Sequence, residues 1–287
     1  MVVSTNYTSF FNPYNYAVFD LYLFLLTMIM IAIVRIKYVR FLIPILCIVC
    51  VAIHEVYVTT YMVIIGCVLL YELVKSKFSF RNILLTAVSY LSIIGSFVLL
   101  QFFTKPLPYS SSEQLIKALA PTTDINMNKG VFDFGYFYNN SLKENFDLLF
   151  NTHIGAAFLT LLLISPIYLL FFYIWKNMIS FSKTKLEKFV YFVFAVSPIV
   201  ILPSFFIAID YDRWFAAINV TQFVLIFYLY ITKDKHMHKT IQKLQLFYQK
   251  HSWIFISLIL YFSALTFLKI NTTGFIGEYL KEHFVWR

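Results

Sequence analysis

Six apolar runs constrain this chain more than any other feature. They lie at about residues 17–34, 82–103, 153–175, 189–209, 214–232 and 253–270. Each is close to or above the roughly 20 residues that an α-helix needs to cross a ~30 Å hydrocarbon core. Within hydrocarbon a helix satisfies its own backbone hydrogen bonds, so the runs predict an all-α, polytopic membrane protein. Composition agrees, because 60% of the 287 residues are hydrophobic and 13% are charged, against roughly 25% charged in an ordinary soluble domain. With 7 glycines, no Gly/Ser linker and no repeat, a single transmembrane domain over 1–287 is expected.

A seventh region, 38–74, is too long for one crossing, at about 55 Å if it were a single helix. Arg35, Lys37 and Arg40 precede it, and Lys75, Lys77 and Arg81 follow it. Lys and Arg concentrate in short cytoplasmic loops, so both ends belong on the cytoplasmic side. The segment then folds as a helical hairpin with arms of about 38–53 and 56–74 and His54-Glu55 at its apex. Six full spans plus this hairpin make roughly eight membrane helices.

Alternation puts an extracytoplasmic loop at 104–152 and a basic cytoplasmic loop at 233–252. On this topology the cytoplasmic segments carry +12, with Glu72, Glu187 and Asp234 their three acids, and the remainder carries −3. The net charge of +9 is therefore positive-inside bias and gives no reason to expect nucleic acid. The first residues carry no Lys or Arg and no small-residue cleavage site, so the first span is expected to be retained. In the outer loop, Ser110 three residues before Glu113 predicts a capping box at a helix start. In the basic loop, Met237, Ile241, Leu244 and Tyr248 fall at helical spacing, which fits a helix lying on an anionic leaflet.

Ionisable groups within spans cost a few kcal/mol each, so each is a candidate functional residue. They are Asp20, His54, Glu55, His153, Asp210, Asp212 and Arg213, and the topology brings all seven toward the outer face. Arg213 offers a planar fork for phosphate or pyrophosphate, with Asp210 or Asp212 orienting it or accepting bonds from a sugar, and Trp214 suits an interfacial belt. Glu55, partly desolvated, is a candidate general base beside His54. Plain structural roles compete: an Asp–Arg pair closing a short loop, and a His-Glu pair capping the second arm. Three buried-type cysteines, Cys47, Cys50 and Cys67, form no zinc pattern, and His236 with His238 fits a solvated basic loop. No Gly-rich phosphate loop or nucleophile elbow occurs, so no cofactor is expected.

The helix broken by "IHE" and the later "DYDRW" resemble polytopic proteins of bacterial surface-polysaccharide assembly, including Wzy-type O-antigen and capsule polymerases. The resemblance implies a glycosyltransferase of the bacterial cytoplasmic membrane that joins polyprenyl-pyrophosphate-linked glycans at the outer face, working among membrane lipids and polysaccharide-assembly proteins. It matches Arg213 with pyrophosphate binding and Glu55 or an Asp with activation of the acceptor hydroxyl; His54 and Trp214 complete the candidate set. Two other readings stay open. One is a transporter or flippase using buried carboxylates, and the other is a metal-dependent hydrolase using His54, His153 and Asp210.

Overall fold

The computed structural model describes residues 20–103, 108–122, 142–207 and 211–267, and among them it is helical with no strand. Twelve α-helices follow in order. They are α1 (Asp20–Ile33), α2 (Ile43–Ile53), α3 (Met62–Lys75), α4 (Phe80–Phe103), α5 (Ser112–Leu119), α6 (Leu142–Leu148), α7 (Ile154–Phe181), α8 (Lys185–Val196), α9 (Ser204–Ile207), α10 (Tyr211–Ile231), α11 (Lys235–Lys250) and α12 (Ser252–Phe267).

Five stretches are long and apolar enough to cross a membrane: Glu55–Lys75, Phe80–Phe103, Leu161–Phe181, Lys185–Phe206 and Trp214–Ile231. Asp20–Ile33, Val39–Ile53 and Ser252–Ser263 are shorter apolar helices. The expected six full spans thus become five among the described residues. The second hairpin arm reaches full length, whereas the first and last expected spans run partly into residues outside the description.

The hairpin itself forms. His54 leaves helical geometry at φ −162°, ψ 124°, and the two outer ends of the segment meet through one side chain. Arg40 Nη1 donates to Asn82 Oδ1 at 2.8 Å while Asn82 Nδ2 donates to the Glu72 carbonyl at 3.1 Å. The arms therefore start and finish together, with His54 at the far apex.

Burial ranks the spans. Over half of the apolar windows of Glu55–Lys75 and Trp214–Ile231 is buried (56% and 61%), against 17% for α4, so α3 and α10 form the centre and α4 faces outward. Ile64, Ile65 and Val68 of α3 and Leu225 and Leu229 of α10 are all fully buried in one core cluster. α4 covers the hairpin through Leu85 and Ile93. Gly66 lets it approach, since a Cβ there would stand 2.6 Å from the Tyr90 hydroxyl.

Pro198 opens the 3₁₀ turn Ser197–Ile201 that ends α8, and Pro203 precedes α9, so the fourth long stretch reaches its far end bent. α12 lies at the edge and is held by Phe262 and by Tyr261, whose hydroxyl donates to the Leu163 carbonyl at 2.8 Å.

Two local expectations change. The cap of α5 is Ser111, whose Oγ accepts from Gln114 N at 3.4 Å, while Ser110 bonds the Gln114 side chain. The turn register sits one residue later than the Ser110–Glu113 spacing suggested. α11 forms as expected, but Met237 is fully buried and Ile241 packs on the same core. The start of its apolar stripe is therefore taken up by the bundle and not by a leaflet.

Candidate functional site

The two motifs come to one end of the bundle, the apex end. Val56, directly after Glu55, packs on a cluster of Leu149, Ile201, Phe205, Trp214, Ala217 and Ile218. A Ser204 Oγ to Thr59 Oγ1 hydrogen bond of 2.8 Å ties the hairpin tip to α9. Trp214 is 1% exposed, so it anchors the start of α10 in protein and does not lie in an interfacial belt. Asp212 and Arg213 occupy the first turn of α10 beside it. Asp210, and the side chains of Asp212, Arg213 and His153, lie outside the described residues.

At the tip, one ring nitrogen faces two partners. His54 Nδ1 is 3.4 Å from the Val56 N–H, which it caps as an acceptor, and 3.4 Å from Glu55 Oε2. A neutral imidazole accepts from the amide, and an imidazolium donates to the carboxylate, so a single proton decides which contact is a bond. Of the His-Glu pair expected to cap the second arm, the His54 side chain accepts from the Val56 N–H. Glu55 is the more exposed of the pair, 57% against 25%. Asp20, at the first residue of α1, is buried.

From the aromatic cluster a groove of about 910 Å³ runs between α7, α8, α9 and α10. Leu149, Phe150 and Phe206 line its apex end, and Trp175, Lys176 and Ile179 its opposite end. Ile154 and Lys176 both line it on one helix, and 22 residues at 1.5 Å separate them by about 33 Å, the thickness of a hydrocarbon core. Part of its polar lining is closed off internally. Trp175 Nε1 donates to Gln222 Oε1, and Gln222 Nε2 donates to the Phe194 carbonyl at 3.1 Å and to Ser197 Oγ at 3.3 Å. The rest of the wall is mainly hydrocarbon, with the Tyr168 hydroxyl, which has no hydrogen-bond partner among the described residues, and Lys176 as the remaining polar groups.

The opposite, basic end holds a network that the sequence reading did not single out. Asp234 is 3% exposed. Its Oδ2 accepts from Tyr71 and Tyr191 at 2.7 and 2.8 Å, and its Oδ1 caps α11 through the N–H groups of His236 and Met237. Glu72 Oε1 accepts from Arg35 Nε, Arg35 Nη2 and the Tyr228 hydroxyl at 2.9, 2.6 and 2.6 Å. Glu187 takes Lys235 at 2.9 Å and closes a capping box with Thr184. All three acids of the basic segments are therefore structural partners of the positive end. The "TKLE" spacing of Thr184 and Glu187 was the available signal for one of them. No group of three potential metal ligands occurs among the described residues, and those of His153 and Asp210 fall outside them.

No family model, curated protein or solved structure matches the chain.

Proposed function

We propose that the protein is a membrane glycosyltransferase that polymerises lipid-pyrophosphate-linked oligosaccharide units at its apex end. The observation that carries this reading is the length of the groove. Averaged over about 33 Å, its 910 Å³ leave a cross-section of about 28 Å², room for one branched hydrocarbon chain whose carbons meet neighbours at ~4 Å. A phospholipid acyl chain reaches the middle of the bilayer and stops. A polyprenyl chain is long enough to follow the whole groove, with its pyrophosphate emerging at the end where α10 begins.

In this mechanism Glu55 takes the proton of an acceptor sugar hydroxyl and shares it with His54. The hydroxyl oxygen bonds to the anomeric carbon of the donor unit, and the bond from that carbon to the pyrophosphate oxygen breaks. The electron pair leaves with the lipid pyrophosphate, whose charge is met by Arg213. Asp210 and Asp212 hold the donor sugar or orient Arg213, and Trp214 fixes the first turn of α10 beneath them. The membrane supplies both carrier-linked substrates by lateral diffusion, so no nucleotide sugar is consumed.

The test uses three variants in a chain-extension assay with reconstituted protein and lipid-linked oligosaccharide. Arg213→Ala and Glu55→Ala remove the charge and the base, and each should abolish extension. Ala195→Trp projects a bulky ring into the groove lining and should slow extension at least tenfold, with the loss expressed in KM for the lipid-linked substrate. Full-length products from all three, at normal protein levels, would overturn the proposal.

A further inference from the structure

A second, smaller cavity points to a lipid site at the basic end, independent of the reaction proposed above. It occupies about 320 Å³ between α1 and α10, with Met28, Ala32, Val224 and Phe227 as its apolar walls and Arg35 and Tyr228 at its polar end. Arg35 is held from behind. Two of its five N–H groups go to Glu72 Oε1, and its guanidinium lies 5.6 Å from the centre of the Tyr228 ring. The Tyr228 hydroxyl also lies against the guanidinium, and the Arg35 side chain is 41% exposed. Tyr228 in turn donates to the same Glu72 oxygen, so the fork is fixed in direction before any ligand arrives.

The depth of this cleft differs from that of the large groove. From Arg35 back to Met28 on α1, and from Thr232 back to Val224 on α10, it extends about 10–12 Å. That distance fits within one leaflet, about half of a ~30 Å core. A site with a preset cationic fork at the interface and a chain-wide apolar slot one leaflet deep suits a glycerophospholipid and is too short for a polyprenyl chain. Glu72 offsets part of the Arg35 charge, and Lys37 and Arg40, which follow within five residues of Arg35, add further positive charge to this end.

The geometry points to a structural phospholipid bound from the leaflet on the basic side, its phosphate on Arg35 and one acyl chain between α1 and α10. Such a lipid bridges α1 to the central helix α10, and it extends the Arg35–Glu72–Tyr228 tie by a charge-assisted bond.

The test titrates the delipidated full chain in detergent with dioleoylphosphatidylglycerol and counts bound lipid by native mass spectrometry. Dioleoylglycerol, which lacks the phosphate, and glycerol 3-phosphate, which lacks the chains, serve as the comparison probes. The intact lipid should bind at least tenfold more tightly than either. Arg35→Gln should weaken its tightest site at least tenfold. Because that variant also strips a partner from Glu72, Ala32→Trp is the decisive one: Ala32 is exposed, its replacement fills the slot, and the Arg35–Glu72 pair stays in place. Unchanged lipid binding by folded Ala32→Trp overturns the proposal. So does equal binding of dioleoylglycerol, or of glycerol 3-phosphate, which would make the site one for neutral lipid or for free phosphate.

Discussion

Replacing Asp234 by Ala should release the α10–α11 elbow from the bundle. The carboxylate does three jobs at once. It caps α11, and losing an Asp cap costs about 1 kcal/mol. It also accepts the hydroxyls of Tyr71 and Tyr191, and hydrogen bonds to a charged acceptor contribute roughly 1.5–3 kcal/mol each. Lys75, 3.9 Å away and 49% exposed, adds little because solvent screens it. The sum is about 4–7 kcal/mol. Asp234→Asn keeps an equivalent cap but turns one acceptor oxygen into a donor, so it should cost about 1–3 kcal/mol.

Acid should separate the two variants from the parent. Burial pushes the Asp234 carboxyl up, but hydrogen bonds from Tyr71, the Met237 amide, Tyr191 and the His236 amide outweigh it and hold the group below its ordinary value. With an unfolded pKa near ~3.9, the stabilisation is full above that pH and is lost as pH falls through the lower folded value. The Asn variant should lack this acid step. The assay is unfolding in mixed micelles with increasing denaturant, together with hydrogen exchange over α11. Equal losses for Ala and Asn, or unchanged α11 protection in Asp234→Ala, would refute the reasoning.

Two further outcomes follow from backbone and packing. Gly66→Ala should destabilise by about 1–3 kcal/mol as the Tyr90 hydroxyl is pushed from its 2.6 Å approach. Adding Tyr90→Phe should restore most of that, since the next ring atom stands at 3.4 Å; a thermal melt that shows no rescue sinks the steric account. Lys233 sits at φ 55° after α10, where Asp234 N bonds back to the Leu229 carbonyl. Lys233→Gly should therefore raise stability by up to about 1 kcal/mol, and a lowered melting temperature would contradict it.

The hairpin was legible because its two signals are local: a polar pair interrupting an apolar run, and basic residues at both ends. α11 was legible as a helix for the same reason. Its buried face was not, because helical periodicity marks a stripe without saying whether lipid or protein covers it. Trp214 shows the same ambiguity, since a Trp at a span end reads as an interfacial anchor until the neighbouring helices enclose it. Asp234 looked like one charge in a basic loop, and its two tyrosine partners lie 43 and 163 residues away.

By itself, the sequence determined an all-helical chain, a strongly basic end and a reversal at His54, because hydrophobicity, charge bias and backbone self-satisfaction act over one helix at a time. Tertiary structure alone decided which acids became buried partners, where α1 and α10 leave a slot beside Arg35, and that α7, α8, α9 and α10 enclose a groove of membrane length. Those features are spaces and contacts between helices, and an apolar residue that faces lipid and one that lines a cavity have the same chemistry until the helices pack.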